Sequence, residues 1–207
     1  MLTKKDLLKE LKKEGIEEKI LEAIDKIDRK KFVLKEQQDL AYINEPLLIG
    51  FGQTISQPYT VAFMLQNSEL KKGDKVLEIG TGSGWNASLI SFLIGEKGEV
   101  YTIERIKELY NRAREKLKNY KNIRVFLGDG SKGLKEFAPY DKIIITAASE
   151  KIQENIKNQL KEEGVLIAPI GPRFCQKLIK IKKKNGKFSE ISLGDFVFVP
   201  LIEDSSN

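Results

Sequence analysis

The sequence predicts an α/β protein with a mostly parallel sheet covered on both faces. Three observations carry that expectation. From Lys75 onward, short apolar runs alternate with segments of helical period. A glycine-rich turn, Gly80-Thr81-Gly82-Ser83-Gly84, follows the first run and opens a helix. Beyond about residue 176 the helices stop. Two strand-like runs flank Asn185-Gly186, a hairpin signature, so the tail is expected to be antiparallel.

The elements follow in order. Leu7, Leu8 and Leu11, then Ile16, Ile20, Ala23, Ile24 and Ile27, recur at helical spacing, and Gly15 separates two helices. Residues 31–58 lack a period and are punctuated by Pro46, Gly50, Gly52 and Pro58, which predicts a long ordered loop of functional kind. A helix is expected from Pro58 to Leu70. Strands follow at 75–79, 100–103, 123–127, 142–146 and 165–169, the last after a turn at Gly164. Helices are expected between them at 86–94, 107–118 and 152–160. The tail gives strands at 177–183, 187–193 and 196–201.

The chain has 207 residues, which suits one domain. Residues 1–58 are expected to supply N-terminal helices and a loop on the substrate side, and 59–207 an α/β core that binds a cofactor, as the motifs and the resemblance below imply. The single cysteine, Cys175, cannot form an internal disulfide, and no Cys/His cluster suggests a metal site. There is no histidine, which removes every mechanism needing a histidine base, a Ser-His pair or a His-ligated metal. No apolar stretch resembles a signal peptide or membrane span, so a cytoplasmic setting and no membrane partner are expected. Net charge is +6, but Lys177, Lys180, Lys182, Lys183, Lys184 and Lys187 crowd one segment. A solvated hairpin tip explains them better than a nucleic-acid surface.

The glycine turn lies where open parallel sheets bind ligands, at the carboxyl end of a strand. Its spacing is G-x-G-x-G, with Trp85 where a dinucleotide fingerprint needs glycine, and no P-loop lysine follows. A pyrophosphate site is therefore disfavoured. Glu104 ends the second strand and can accept both ribose hydroxyls; Arg105 follows it. Gly128-Asp129-Gly130 ends the third, where the carboxylate could accept from an adenine amino group. Glu78, ending the first strand, would order the loop or face the methionine part. Three neighbouring strand tips with polar groups suit an adenosine without phosphates, S-adenosylmethionine, leaving S-adenosylhomocysteine as product.

Along residues 16–202 the chain resembles protein-L-isoaspartate O-methyltransferases. The resemblance rests on Ala41-Tyr42, Ile49-Gly50-Phe51-Gly52-Gln53-Thr54-Ile55-Ser56-Gln57-Pro58-Tyr59, Val76 to Gly84, Ile103-Glu104-Arg105, Gly128-Asp129-Gly130, Ala138-Pro139-Tyr140-Asp141, Thr146-Ala147-Ala148 and Val199-Pro200-Leu201. The glycine loop is common to many methyltransferases; the stretch from Gly52 to Pro58 is specific to this family. The resemblance implies a three-layer, Rossmann-like α/β/α methyltransferase fold. It implies that Ser56 lies beside the transferred methyl group, with Thr54 and Ile55 shaping the cleft. Thr146, Ala147, Ala148, Ile170, Gly171 and Gln176 would border the substrate, an isoaspartyl protein or peptide. Trp85 stands where the family often has tyrosine and Ser149 where proline is common; Leu48 and Asn86 are also unusual.

Methylating a carboxylate needs no general base, since a group with pKa near 4 is already ionised at neutral pH. The missing histidine fits that reaction. Ser56 would orient the attacking carboxylate, or cap the helix that starts at Pro58, or both. A monomer is expected. Alternative functions on this fold are tRNA methylation, methylation of a normal aspartate in a peptide, or cofactor binding without activity. No Asn/Asp-Pro-Pro-Tyr/Phe base-methylation motif is present.

Overall fold

Thr3 starts the first helix, α1 (Lys4–Lys13). Its hydroxyl accepts the Asp6 N–H, and the Asp6 carboxylate accepts the Thr3 N–H, a reciprocal capping box. Gly15, at φ 84°, then turns the chain toward α2 (Glu18–Lys26). Leu7 and Leu11 of the first helix and Ile20, Leu21, Ala23 and Ile24 of the second are buried. The computed structural model describes residues 2–172 and 175–201.

Residues 31–58 are more ordered than their punctuation suggests. Two 3-10 turns, Arg29–Lys31 and Lys35–Leu40, precede an antiparallel hairpin of β1 (Leu47–Gly50) and β2 (Gln53–Ile55). Leu47, Ile49 and Ile55 are buried, an alternation too short to stand out between Pro46 and Gly50. The turn residues Phe51 and Gly52 both take left-handed φ, 56° and 70°, without the Asn-Gly pair that usually announces such a turn. Helix α3 (Pro58–Asn67) then begins on a proline, whose fixed φ and missing N–H cost nothing in a first turn.

The main sheet holds seven strands: β3 (Lys75–Ile79), β4 (Glu99–Glu104), β5 (Ile123–Leu127), β6 (Tyr140–Ile145), β7 (Leu160–Ile170), β8 (Gln176–Lys184) and β9 (Lys187–Phe196). Their spatial order is β5-β4-β3-β6-β7-β8-β9. The first five in that order pair in parallel, and β8 and β9 add antiparallel. Helices α4 (Trp85–Ile94) and α5 (Lys107–Leu117) follow β3 and β4, and a single turn, α6 (Glu154–Lys157), precedes β7. The strand order reverses between β3 and β6, which opens a crevice outside their carboxyl ends. Alternate residues of β3 serve two cores: Val76 packs with the N-terminal helices and α4, Leu77 and Ile79 with Tyr101, Tyr140 and Ile156.

Three expected elements differ. The helix over 152–160 shrinks to one turn, because the Gln159 carbonyl accepts the Tyr140 N–H and its side chain braces Lys132 and Leu134. Gly164 lies inside β7. Leu160 pairs with Tyr140 but Val165 already pairs with Lys142, so the extra residues form a bulge, with Glu163 at φ 60°. Residues 197–201 are an irregular segment, joined to Ala148 by an isolated bridge at Pro200, which has no N–H to give. The lysine-rich tip forms the expected hairpin, with Asn185 and Gly186 at φ 52° and 71°. Its base is not simply solvated: Lys180 and Lys182 both reach the Glu69 carboxylate at 2.6 Å.

Candidate active site

The crevice above β3 and β4 is a cleft of about 900 Å³. One wall is the glycine turn and the tip of β4. The rest of the lining comes from β2, which the sequence named, and from α3 and a rim at residues 193–201, which it did not point to as lining. Val197, at the mouth, is 72% exposed, so the rim offers apolar surface to whatever enters.

At the first strand tip, Glu78 does not line the cleft. It is fully buried, and its carboxylate accepts from Asn86 Nδ2 at 2.7 Å and Thr102 Oγ1 at 2.5 Å. Thr102 in turn bonds Thr81 Oγ1 at 2.6 Å. Glu78 therefore ties the glycine turn to β4 and to α4, the ordering role rather than a ligand-facing one. Burial pushes its pKa up to about 7, against the smaller opposing effect of its hydrogen bonds. The folded state thus holds this proton more tightly than the unfolded chain. Protonated Glu78 contributes stability that is complete below about pH 4.5 and lost as pH rises through about 7. Glu78→Gln, which mimics the protonated form, is expected to gain on the order of 3 kcal/mol over wild type between pH 5 and pH 8. Denaturant titrations at both pH values measure this; a constant difference would mean that Glu78 is ionised throughout.

Gly80, Gly82 and Gly84 all have left-handed φ, at 99°, 53° and 84°. A Cβ on Gly80 would collide with the Thr146 hydroxyl, which bonds the Ile79 and Gly80 carbonyls at 3.0 and 2.8 Å. Gly84 packs against Leu117 behind the turn, while Gly80, Thr81, Gly82 and Ser83 face the cleft.

Glu104 ends β4, lines the cleft and is nearly buried. One carboxylate oxygen accepts the Gly82 N–H at 2.8 Å and the other the Ile106 N–H at 2.9 Å. A carboxylate has about four acceptor positions, so both oxygens keep capacity for a ligand. Arg105 is exposed at the same edge. At the third tip, Gly130 forms the cleft wall; a Cβ there would meet Ile79 and Ile103. Gly128 and Asp129 stand just behind. Asp129 caps the following 3-10 turn, accepting from Ser131 N at 2.8 Å and Ser131 Oγ at 2.9 Å.

On the β2 side, Thr54, Ile55 and Ser56 line the cleft, and Ala147 lines it too. Ser56 does not cap α3; the cap residue is Gln57, which leaves the Ser56 hydroxyl outside the helix start. Ala148 and Gly171 instead border a neighbouring pocket of about 380 Å³, and Ile170 is paired with Ser149. Gln176 is fully buried. Its Oε1 accepts the Phe198 N–H at 2.8 Å and its Nε2 donates to the Pro172 carbonyl at 2.5 Å, so it braces the rim from behind.

One residue behind the cleft, Arg29, was not legible as a site residue, and Trp85, which lines the cleft, stood out in the sequence only as a departure from the dinucleotide and family patterns. Arg29 is 1% exposed and, among the described residues, donates to main-chain carbonyls alone: Ala41, Ile43, Glu45, Ile55 and Ser56. Burial lowers its pKa to about 10. Its guanidinium lies 5.5 Å from the centre of the Trp85 ring, whose indole N–H donates to the Ile27 carbonyl at 3.0 Å. Among the described residues, no group of three or more His, Cys, Asp or Glu side chains could hold a metal ion, and no helix is long and apolar enough to cross a membrane.

Comparison with known proteins gives one consistent answer. A model of the protein-L-isoaspartate(D-aspartate) O-methyltransferase family matches residues 2–206. A protein-L-isoaspartate O-methyltransferase of Thermosipho melanesiensis is 50% identical over 194 residues, covering 93% of this chain and 98% of that one. One solved protein-L-isoaspartate O-methyltransferase superposes with a TM-score of 0.88 at 31% identity over 96% of this chain, which spans 65% of that longer chain. A Plasmodium falciparum structure described by the same activity, in complex with S-adenosyl-L-homocysteine, also gives 0.88, at 28% identity and covering 99% and 100% of the two chains. The chain belongs to the protein-L-isoaspartate(D-aspartate) O-methyltransferase family.

Proposed function

We propose that this enzyme transfers a methyl group from S-adenosylmethionine to the free α-carboxylate of L-isoaspartyl residues in damaged proteins. The observation that carries this reading is that Ser56 and the glycine turn line one and the same cleft. The cleft fits an adenosyl sulfonium: a glycine turn that admits close approach, a carboxylate with spare acceptor capacity at Glu104, and apolar Ile103 and Ile106 beside Gly130. Glu104 would hold the ribose, Gly80 to Ser83 the methionine part, and Gly130 with Asp129 the adenine end. Bound there, the molecule supplies an electrophilic methyl group on sulfur.

The chain's own residues then have two tasks. Ser56 donates a hydrogen bond that aims the incoming carboxylate, already anionic at neutral pH. Ile55, Met64 and Phe198 make the surroundings apolar and limit water. Alignment of this kind supplies on the order of 7 kcal/mol or more of rate acceleration without any base. The resulting methyl ester carries a far better leaving group than a carboxylate does: the adjacent backbone amide nitrogen attacks its carbonyl, methanol departs, and a succinimide forms spontaneously. Hydrolysis of that ring restores some normal aspartate, so the activity is repair.

Radiolabelled S-adenosylmethionine with matched isoaspartyl and aspartyl peptides tests the reading. Base-labile label is expected on the isoaspartyl peptide alone. Equal labelling of both peptides, or labelling of unmodified tRNA, would replace it with one of the other functions of this fold.

A further inference from the structure

Arg29 stands in the fold where a purely structural arginine has little reason to be. A buried charge is ordinarily matched by an opposite charge or neutralised. Here every hydrogen bond the guanidinium donates ends on a main-chain carbonyl, and its Nε has no partner among the described residues. The five carbonyls belong to two stretches of chain, 41–45 and 55–56, that flank the β1–β2 hairpin. Arg29 thus closes the base of that hairpin and holds Ser56 by its own carbonyl, at 3.1 Å. The same planar group lies on the Trp85 ring. Trp85 is the first residue of α4, directly after Gly84 of the cofactor turn, and it also lines the cleft.

We infer that Arg29 is a positioning residue for methyl transfer: it fixes the acceptor-side loop bearing Ser56 relative to the cofactor-side turn ending at Trp85. The inference rests on the reaction proposed above. The reaction joins an oxygen held on one wall to a carbon held on the other. A shift of about 1 Å between them can cost on the order of a hundredfold in rate. Two hairpin flanks and one indole are registered by a single rigid fork, which a lysine cannot reproduce. Its ammonium has three donors on one atom and no plane to stack.

The test is Arg29→Lys, with Arg29→Gln as a second variant that keeps a planar donor and removes the buried charge. Wild-type turnover of an isoaspartyl peptide is measured first, because its absence would sink the reaction itself rather than the role of Arg29. For both variants we expect kcat to fall at least tenfold, with the S-adenosylmethionine dissociation constant from calorimetry within threefold of wild type. If Arg29 works through Ser56, the Arg29→Lys/Ser56→Ala double variant is no slower than the slower single variant by more than threefold. Three results overturn the proposal: kcat within threefold of wild type in both variants, fully multiplicative losses in the double variant, or loss of turnover only in step with loss of folding and cofactor binding. The last outcome makes Arg29 a folding residue.

Discussion

Replacing Ser56 with alanine is expected to lower turnover of an isoaspartyl peptide roughly a hundredfold, the loss of one charge-assisted hydrogen bond of about 2–3 kcal/mol in the transition state. The affinity for S-adenosylmethionine should stay within about threefold, since Ser56 belongs to the stretch between β2 and α3 and not to the glycine turn. The separation of kcat from cofactor affinity is the informative part. A helix-capping serine would show the reverse pattern, lower stability with normal turnover. That alternative is already weakened by the position of Gln57 at the cap. Steady-state kinetics beside calorimetry decides it, and unchanged kcat would remove Ser56 from the chemistry.

Glu104→Ala should be more damaging to cofactor binding than any other single change at the strand tips. The wild-type carboxylate bridges the Gly82 and Ile106 N–H groups. Alanine removes the ribose acceptor and leaves those two backbone donors without their charged partner. At about 1.5–3 kcal/mol for each hydrogen bond to a charged group, the expected weakening of S-adenosylmethionine is on the order of several hundredfold or more. Glu104→Gln should fall between, because it keeps one acceptor oxygen but turns an N–H toward a backbone N–H. A dissociation constant within tenfold of wild type for Glu104→Ala would reduce Glu104 to a brace of the turn.

How much of this was legible before the structure depends on the range of the interactions. The parallel sheet, its antiparallel tail and the polar strand tips were readable, because strand period, the glycine turn and Asn185-Gly186 are local signals. The Ser56 stretch was readable through its resemblance to a family. The ordering role of Glu78 was one of two readings open in the sequence, and the brace roles of Gln176 and Arg29 were not readable at all. Packing decides between the two for Glu78 and shows that Gln176, which looks like any strand-end polar residue in sequence, supports the rim. Arg29 sits in an unremarkable Asp28-Arg29-Lys30-Lys31 run. Its five acceptors lie 12 to 27 residues away, beyond any periodicity. The β1–β2 hairpin was missed for a different reason: its turn uses Phe51 at positive φ, an expensive choice that no turn signature announces.

The chain contains a single tryptophan, and the fold places it at the junction of both walls, fully enclosed, with its ring under Arg29 and its N–H on Ile27. Emission excited at the red edge of the absorption band, where the six tyrosines do not absorb, therefore has one origin. An indole shielded from water emits toward the blue, so unfolding shifts the spectrum red, while a ligand entering beside Trp85 changes intensity without that shift. One optical signal thus separates an occupied molecule from a denatured one, with no label attached.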